Sequence, residues 1–306
     1  MITSMVLLAG PALVRADDFS LENGFIDKRT QAVLAMMGYS VVPDLTTSTL
    51  SITNTQTGDP HIIMSQLAGG FTISKTTPLY LEGGIAYSRY DPTFVATNGV
   101  EERNVPTKWT SVMLTGGVGW DFPIAKELVL RPIANFAVGH LETDLSAFGR
   151  LVQRKSGTEI DFLDGGRLNA VGYGGSLMLD YEHYRPDHEI DVEWRYSAVR
   201  LQTFDTVEAA AGHSDAISTS LWARWRAPTG FTMLDRPLRY VLEVAHSTFF
   251  GAQKDLLGFN YLSSIGAGLE VDSSAYNIIV TRTRLVLRYR FGENVSGASV
   301  GFAVSF

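Results

Sequence analysis

The sequence predicts an all-β fold, namely an antiparallel transmembrane β-barrel of about 12 strands with an N-terminal helix inside the lumen. Three observations support this prediction. After residue 44, apolar and polar residues alternate, as in strands whose two faces meet different surroundings. Many alternating segments reach about ten residues, the length that a tilted strand needs to cross a bilayer. The connections between them tend to be long and short in turn, which is typical of membrane barrels.

Composition excludes several other classes of protein. The 306 residues include no Cys, so disulfide frameworks and thiolate chemistry are excluded. A formal net charge of −7 disfavours nucleic-acid binding, because phosphates require a cationic surface. A hydrophobic fraction of 45% is too high for a disordered chain. No uncharged run reaches the roughly 20 apolar residues of a transmembrane helix.

Residues 1–16 have the features of a secretory signal peptide. The apolar stretch 5–14 ends at Val14-Arg15-Ala16, and two acidic residues follow. Val and Ala at the −3 and −1 positions predict cleavage after Ala16, although no Lys or Arg precedes the apolar stretch. A buried first helix is the alternative interpretation of this segment.

The segment 17–43 is predicted to contain one helix of about ten residues, over 27–37 (DKRTQAVLAMM). Asp27 can cap its N-terminus, and Gly38 favours its end. Its apolar residues form no clean stripe, so we expect other elements of the protein to enclose it.

Residues 44–306 form the predicted barrel. In the clearest strand, 190–198, apolar side chains such as Val192 and Trp194 alternate with polar ones such as Glu193 and Arg195. Ten or fourteen strands are also compatible with the pattern, and the connection 227–235 is long for the short-turn side. The other predicted strands are 45–54, 66–74, 79–89, 112–120, 128–138, 171–181, 217–225, 238–244, 259–271, 279–291 and 298–306.

The apolar strand faces could meet either a protein core or lipid. Long strands favour lipid, and so do opposite charges on the polar face, such as Arg239 and Glu243, which can pair across a narrow lumen. Aromatic residues near strand ends would form the two interfacial girdles of a membrane barrel. These are Tyr80, Tyr87, Trp109, Trp120, Tyr181, Trp225, Tyr240, Tyr261 and Phe291.

The last strand carries a family resemblance. Its alternating apolar residues Val300, Phe302, Val304 and Phe306 resemble the insertion signal of bacterial outer-membrane proteins. The resemblance implies recognition by the barrel assembly machinery and a location in the outer membrane of a Gram-negative cell.

A helix, about twelve strands and a terminal Phe also resemble the translocator domain of autotransporters. The resemblance implies a porin-like barrel that the helix plugs. Only about ten residues separate Ala16 from the helix, so we expect no passenger domain. The paired Asn of self-cleaving autotransporters is absent from 27–37, so self-cleavage is not implied.

Catalytic and metal-binding patterns are weak. The adjacent pairs His213-Ser214 and His246-Ser247 would face opposite sides of a strand, out of hydrogen-bond reach. The Asp59-Pro60-His61 segment is interpreted as a loop, and His183 with His188 as a solvated corner rather than a ligand pair. We therefore predict no catalytic residue, cofactor or metal. An outer-membrane lipid hydrolase and a soluble β protein remain the alternatives.

The charges of the predicted lumen are the most informative candidate site. They could form ion pairs that bridge a plugged lumen, or an anion-favouring constriction. We expect a monomer that contacts outer-membrane lipid and the assembly machinery but no nucleic acid. Glycine pairs, including Gly84 and Gly117, are expected to form a smooth inner track for the helix. The predicted lumen charges are Glu193, Arg195, Arg224, Arg226, Arg239, Glu243, Glu270, Arg284, Arg288 and Arg290.

Overall fold

A computed structural model gives the architecture of the chain. Apart from the strands, residue 34 and residues 37–39 are helical, within and just after the predicted helix 27–37. The predicted signal peptide, 1–16, lies outside the described residues. The structure describes residues 34, 37–39, 47–54, 62–90, 93–97, 102–106, 108–143, 167–204, 212–251, 259–273, 281–293 and 295–305.

Fifteen strands make up the described part of the chain, and all twelve predicted strands are among them. They are β1 (Thr47–Asn54), β2 (Ile62–Thr72), β3 (Leu79–Tyr90), β4 (Thr93–Thr97), β5 (Glu102–Pro106), β6 (Trp109–Trp120), β7 (Phe122–Ala125), β8 (Leu128–Thr143), β9 (Arg167–Tyr184), β10 (Glu189–Phe204), β11 (His213–Met233), β12 (Arg236–Phe250), β13 (Tyr261–Asp272), β14 (Arg282–Gly292) and β15 (Val295–Ser305).

Twelve of these strands form a closed antiparallel ring. Each pairs with the next along the chain, in the order β1, β2, β3, β6, β8 and then β9 to β15. The ring closes because β15 pairs with β1, with Phe302 opposite Thr47. The short β7 pairs only with the start of β8, and β4 and β5 form a separate hairpin. The predicted barrel of about 12 strands is confirmed.

Connections define two ends of the barrel. The turn end holds the connections 73–78, 121–127, 185–188, 234–235 and 273–281, and the loop end holds those between the other strand pairs. The prediction of a long connection at 227–235 is wrong, because β11 continues to Met233 across an irregular register after Pro228. Leu234 and Asp235 then form a tight turn with φ of 55° and 60°, the left-handed values of a type I′ hairpin.

The two faces of the wall are the reverse of a soluble protein's. Large apolar side chains such as Leu285 and Leu287 are 52% and 64% exposed on the outside. Inside, Arg195 and Glu270 are 2% and 0% exposed. An apolar surface around a polar interior is what a lipid-facing barrel requires. No helix in the described ranges is long and apolar enough to cross a membrane.

Two members of the predicted aromatic girdles are wrongly placed. Tyr80 and Trp109 are buried inside the barrel, whereas Tyr87, Trp120 and Tyr261 do lie exposed on the outside. The phase of each strand decides this, because side chains of one strand alternate between the two faces. In β3, Tyr80 shares the inner face with Glu82, and its hydroxyl donates a hydrogen bond to that carboxylate at 3.2 Å.

Candidate functional site: the lumen of the barrel

The lumen consists of two chemically different halves. The loop half, beside the loop end, is lined mainly by apolar side chains. The turn half, beside the turn end, is lined by Arg, Glu and Asp side chains. Because both halves belong to the same strands, the difference comes from which residues each strand places on its inner face.

Helical residues fill the loop half. Leu34 and Met37 are both fully buried against the wall. Nearby, the ring of Tyr39 lies 5.5 Å from that of Phe249, between centroids. The described helical residues thus pack as a plug inside the barrel, as the sequence predicts. The wall residues of their main cluster are Ala86, Trp109, Met113, Ala137, Leu141, Leu168, Ala170, Val199 and Leu201.

A single glycine makes room for a described plug side chain. A Cβ atom at Gly139 would lie 2.2 Å from Cε of Met37. The predicted track at Gly84 and Gly117 stays a prediction, because most of the helix 27–37 lies outside the described residues. At Gly84 a Cβ would meet Ala68 of the neighbouring strand, and at Gly117 it would meet Glu82. Those two glycines therefore make room for the wall itself.

An ion pair crosses the lumen within its turn half. Arg195 on β10 donates two hydrogen bonds to the Glu82 carboxylate on β3, at 2.9 and 2.7 Å. The side chains are 2% and 0% exposed. Because β3 and β10 are not neighbours in the ring, this pair spans the interior. Asn135 and Tyr80 donate further hydrogen bonds to the same carboxylate, at 2.8 and 3.2 Å.

A second bridge converges on Glu189, the first residue of β10. Three guanidinium groups surround its carboxylate, those of Arg226 at 2.8 Å, Arg239 at 2.8 Å and Arg282 at 2.6 Å. Arg282 lies on β14, four strands away around the ring, so this pair also crosses the lumen. Opposite charges at such distances hold the two sides of the wall together.

The other predicted lumen charges also face inward. Arg224 pairs with Asp191 at 2.8 Å, Arg284 with Glu270 at 3.1 Å, and Arg288 with Glu243 at 2.6 Å. Arg290 lies closer to the loop end, where its guanidinium donates a hydrogen bond to the hydroxyl of Tyr39 at 3.4 Å.

A cavity of about 1480 Å³ remains in the turn half, and Glu193, Arg224 and Arg284 are among the residues that line it. Most of the predicted arginines are thus neutralised by carboxylates. They do not form a free cationic ring, so the bridging interpretation fits better than the anion-favouring constriction.

Sequence reasoning missed several members of the network. Some, such as Glu82 and Arg131, are single charges on strands whose inner face is otherwise uncharged in the predicted pattern, and others, such as Glu189 and Arg282, lie at strand ends. Arg131 on β8 pairs with Asp121 and, at 3.0 Å, with Asp180. The two-residue period was the signal available, because Glu82 lies two residues before Gly84, which the sequence analysis places on the inner face. The missed residues are Glu82, Asp121, Arg131, Asp180, Glu189, Asp191, Asp272 and Arg282.

The candidate catalytic pairs are separated, but another Ser–His contact is present. Ser214 is buried and His213 exposed, on opposite faces. His246 instead contacts Ser263 through Nδ1 at 2.9 Å and Thr248 through Nε2 at 3.2 Å. This group lies on the outer face near the loop end and has a hydroxyl where a catalytic triad has a carboxylate. The residues 59–61 lie outside the described ranges.

The turn end carries a pair of histidines. His183 Nδ1 lies 2.8 Å from Oε2 of Glu127, and His188 Nδ1 lies 2.9 Å from Oδ2 of Asp187. The hydrogen bond from His183 lowers the pKa of Glu127, and the one from His188 lowers the pKa of Asp187. Among the described residues, no group of three or more His, Cys, Asp or Glu side chains could hold a metal ion.

Comparison with known proteins supports the fold. No protein-family model matches the chain, and no curated protein sequence does. The transport unit of the autotransporter AIDA-I from Escherichia coli is 13% identical, with 92% of this chain and 99% of that chain covered and a TM-score of 0.51. The β domain of the Bordetella autotransporter BrkA is 14% identical, with 85% and 97% covered and a TM-score of 0.48.

The translocator domain of the autotransporter NalP from Neisseria meningitidis is 12% identical, with 92% and 99% covered and a TM-score of 0.44. The likeness to the AIDA-I transport unit shows the fold, and the closed ring and apolar outer surface of this chain are those of a membrane barrel. The chain is therefore an outer-membrane β-barrel whose fold is similar to that of an autotransporter transport unit.

Proposed function

We propose that this chain is a non-enzymatic outer-membrane barrel of the autotransporter-like translocator or pore type, and that its lumen is closed in the state described here. The observation that carries the proposal is the double obstruction of the lumen. Leu34 and Met37 obstruct the loop half, and the pair of Glu82 and Arg195 crosses the turn half. A passage for solute would need both obstructions to move.

Conductance in planar lipid bilayers tests this proposal. We expect a closed or very small conductance for the full chain and a partial increase after deletion of residues 17–40. Removing the bridge as well, by Glu82→Gln with Arg195→Met, should give the largest conductance. Arg200→Ala is the matched control, because Arg200 pairs with Asp215 on the outer face. An intrinsically open, anion-selective full chain would overturn the closed lumen, and no conductance in any variant would overturn the pore.

A lipid hydrolase is the second candidate, favoured by the contact between His246 and Ser263. The assay is release of fatty acid from acyl esters in proteoliposomes. The non-enzymatic proposal expects no release above that of empty vesicles. Release that Ser263→Ala abolishes would overturn it, provided that Ser247→Ala, on the opposite face of β12, retains the activity.

The partners follow from the outer surface of the last strand. We propose that Val300, Phe302 and Val304, exposed on the outside, contact lipid and belong to the segment that the assembly machinery recognises. Phe306 lies outside the described residues. We also propose a monomer that binds no nucleic acid. A detergent gel tests assembly: the unheated wild type should migrate as a folded barrel, and Phe302→Asp should reduce that band.

A further inference from the structure

Four carboxylate side chains form a patch on the inner wall of the turn half. They belong to the neighbouring strands β9 and β10, whose register sets Asp180 opposite Glu193 and Glu182 opposite Asp191. All four line the cavity of the turn half. Like charges directly opposite each other on neighbouring strands destabilise a sheet. The wall therefore holds a concentration of negative charge that folding alone does not favour.

Arginines neutralise only two members of this carboxylate patch. Asp180 accepts a hydrogen bond from Arg131 at 3.0 Å, and Asp191 accepts one from Arg224 at 2.8 Å. Arg131 is shared, because it also pairs with Asp121. These two ion pairs therefore leave the patch with a net negative charge.

The other two carboxylates of the patch have no cationic partner among the described residues. Glu193 makes no ion pair and no hydrogen bond with any of them. Glu182 accepts a hydrogen bond from Tyr184, whose hydroxyl is neutral. Other residues around the cavity do not supply the missing positive charge, because six acidic and only four basic residues line it. The acidic ones are Asp121, Glu127, Asp180, Glu182, Asp191 and Glu193, and the basic ones are Lys75, Arg131, Arg224 and Arg284.

The patch can act on mobile ions through its electric field. No group of three or more acidic or histidine side chains in the described ranges could hold a metal ion, so coordination of a fixed ion is not what the patch provides. A cleft that is lined by one sign of charge and enclosed by low-dielectric walls focuses the field and concentrates counter-ions. Asp and Glu side chains around a pore favour the passage of cations.

We propose that the turn half makes the lumen selective for cations, and that Glu182 and Glu193 set this preference. Cationic solutes pass more readily than anionic ones once the plug and the bridge of Glu82 and Arg195 no longer obstruct the lumen. The inference rests on the proposed pore function and names the class of solute that the pore admits.

Reversal potentials in planar lipid bilayers test the selectivity. The reference variant lacks residues 17–40 and carries Glu82→Gln with Arg195→Met, because this combination has the largest expected conductance. The double substitution removes one charge of each sign, so the net charge of the wall is unchanged. KCl concentrations are kept below about 0.15 M, where a charge acts over about 8 Å or more. We expect K⁺ to permeate at least about threefold more readily than Cl⁻.

Neutralising the two unpaired carboxylates should reduce this preference. In the reference variant, Glu182→Gln with Glu193→Gln should lower the permeability ratio of K⁺ to Cl⁻ at least about twofold. Glu182→Asp with Glu193→Asp keeps both charges and should preserve the ratio. Asp215→Asn is the matched control, because it removes a carboxylate on the outer face. A ratio of one or less in the reference, or an unchanged ratio in the double Gln variant, would overturn the inference, provided that each variant migrates as a folded barrel on an unheated gel.

A second measurement tests the field without an open pore. The chain has no Cys, so Tyr184→Cys places a single thiol among the residues that line the cavity. Thr232→Cys, at the exposed tip of the β11–β12 hairpin, is the matched control. In the full-length chain, the ratio of modification rates by a cationic and an anionic methanethiosulfonate should be at least about tenfold higher at residue 184 than at residue 232. Adding Glu182→Gln should reduce that difference.

The two measurements separate failure of the inference from failure of the proposed pore. Equal rate ratios at the two thiols would overturn the inference whether or not the pore conducts. A raised ratio at residue 184, together with no conductance in any variant, would overturn the proposed pore and retain the cation-attracting cavity.

Discussion

The two halves of the lumen are enclosed by the same twelve strands, yet they are filled in different ways. In the loop half, a separate segment fills the space, since Leu34 and Met37 pack against the wall without belonging to it. In the turn half, long side chains of the wall itself meet across the interior, as Glu82 and Arg195 do. The first filling contacts the wall through apolar packing and, among the described residues, through the hydrogen bond from Arg290 to the hydroxyl of Tyr39. The second can be removed only by separating buried charges.

This difference assigns the halves different roles. Apolar packing is non-directional, so a displaced plug leaves the wall and its hydrogen bonds in place. A buried ion pair needs its partner, because a charge left alone in a low-dielectric interior is strongly unfavourable. We therefore expect the loop half to control opening and the turn half to control the stability of the wall.

Breaking the ion pair of Glu82 and Arg195 should have the largest effect on stability. Glu82→Ala leaves Arg195 buried without its carboxylate, which for buried pairs lowers the free energy of unfolding by about 3–5 kcal/mol. Removing both charges, by Glu82→Gln with Arg195→Met, should cost much less. Urea unfolding in lipid vesicles, followed by tryptophan fluorescence, measures both. Equal losses for the single and the double variant would contradict the assignment of stability to the ion pair.

Emptying the loop half should affect conductance more than stability. Met37→Ala removes a fully buried plug side chain, and truncating a buried Met costs about 2–5 kcal/mol of packing. Here the lost packing is that between the plug and the wall, so channel openings in planar bilayers should become more frequent. The variant should still migrate as a folded barrel on an unheated gel. Met178→Ala is the matched control, because Met178 is equally buried but belongs to the wall of the turn half. Met178→Ala should destabilise the barrel without increasing its conductance. If instead Met178→Ala opened the channel and Met37→Ala only destabilised the barrel, the roles assigned to the two halves would be wrong.

Sequence reasoning predicted the wall far better than its contents. The two-residue period is local, so the strands and their lipid-facing side chains follow directly from it. Cross-lumen partners are not local: nothing near Glu82 in sequence indicates Arg195, because closure of the ring alone brings β3 opposite β10. Tyr80 and Trp109 were misplaced because an aromatic residue at a strand end suggests a girdle whichever face it occupies. The β11 extension was missed because Pro228 and Gly230 suggest a loop.

A variant that overpacks the wall should sharpen the comparison inside the turn half. A Cβ atom at Gly301 would lie 2.1 Å from Nη1 of Arg288, so Gly301→Val should push Arg288 away from Glu243. Overpacking of this kind costs about 1–3 kcal/mol. Gly69→Val is the matched control, since a Cβ there meets no atom within 4 Å. Urea unfolding of both variants measures the difference, and equal stabilities would mean that the Arg288 position is not fixed by Gly301.

The smallest effect is expected outside the lumen, from a pair with the same chemistry. Arg200 donates two hydrogen bonds to Asp215, at 2.7 and 2.9 Å, nearly the geometry of Arg195 and Glu82. The side chains of this outer pair are 49% and 43% exposed. They lie beside the loop end, near the end of β10 and the start of β11, where water and salt screen them. Arg200→Ala should therefore change the free energy of unfolding in urea by no more than its experimental error. Raising the salt concentration should abolish any small difference that remains. A loss as large as that of Glu82→Ala would show that burial is not what separates the two halves of the lumen from the surface.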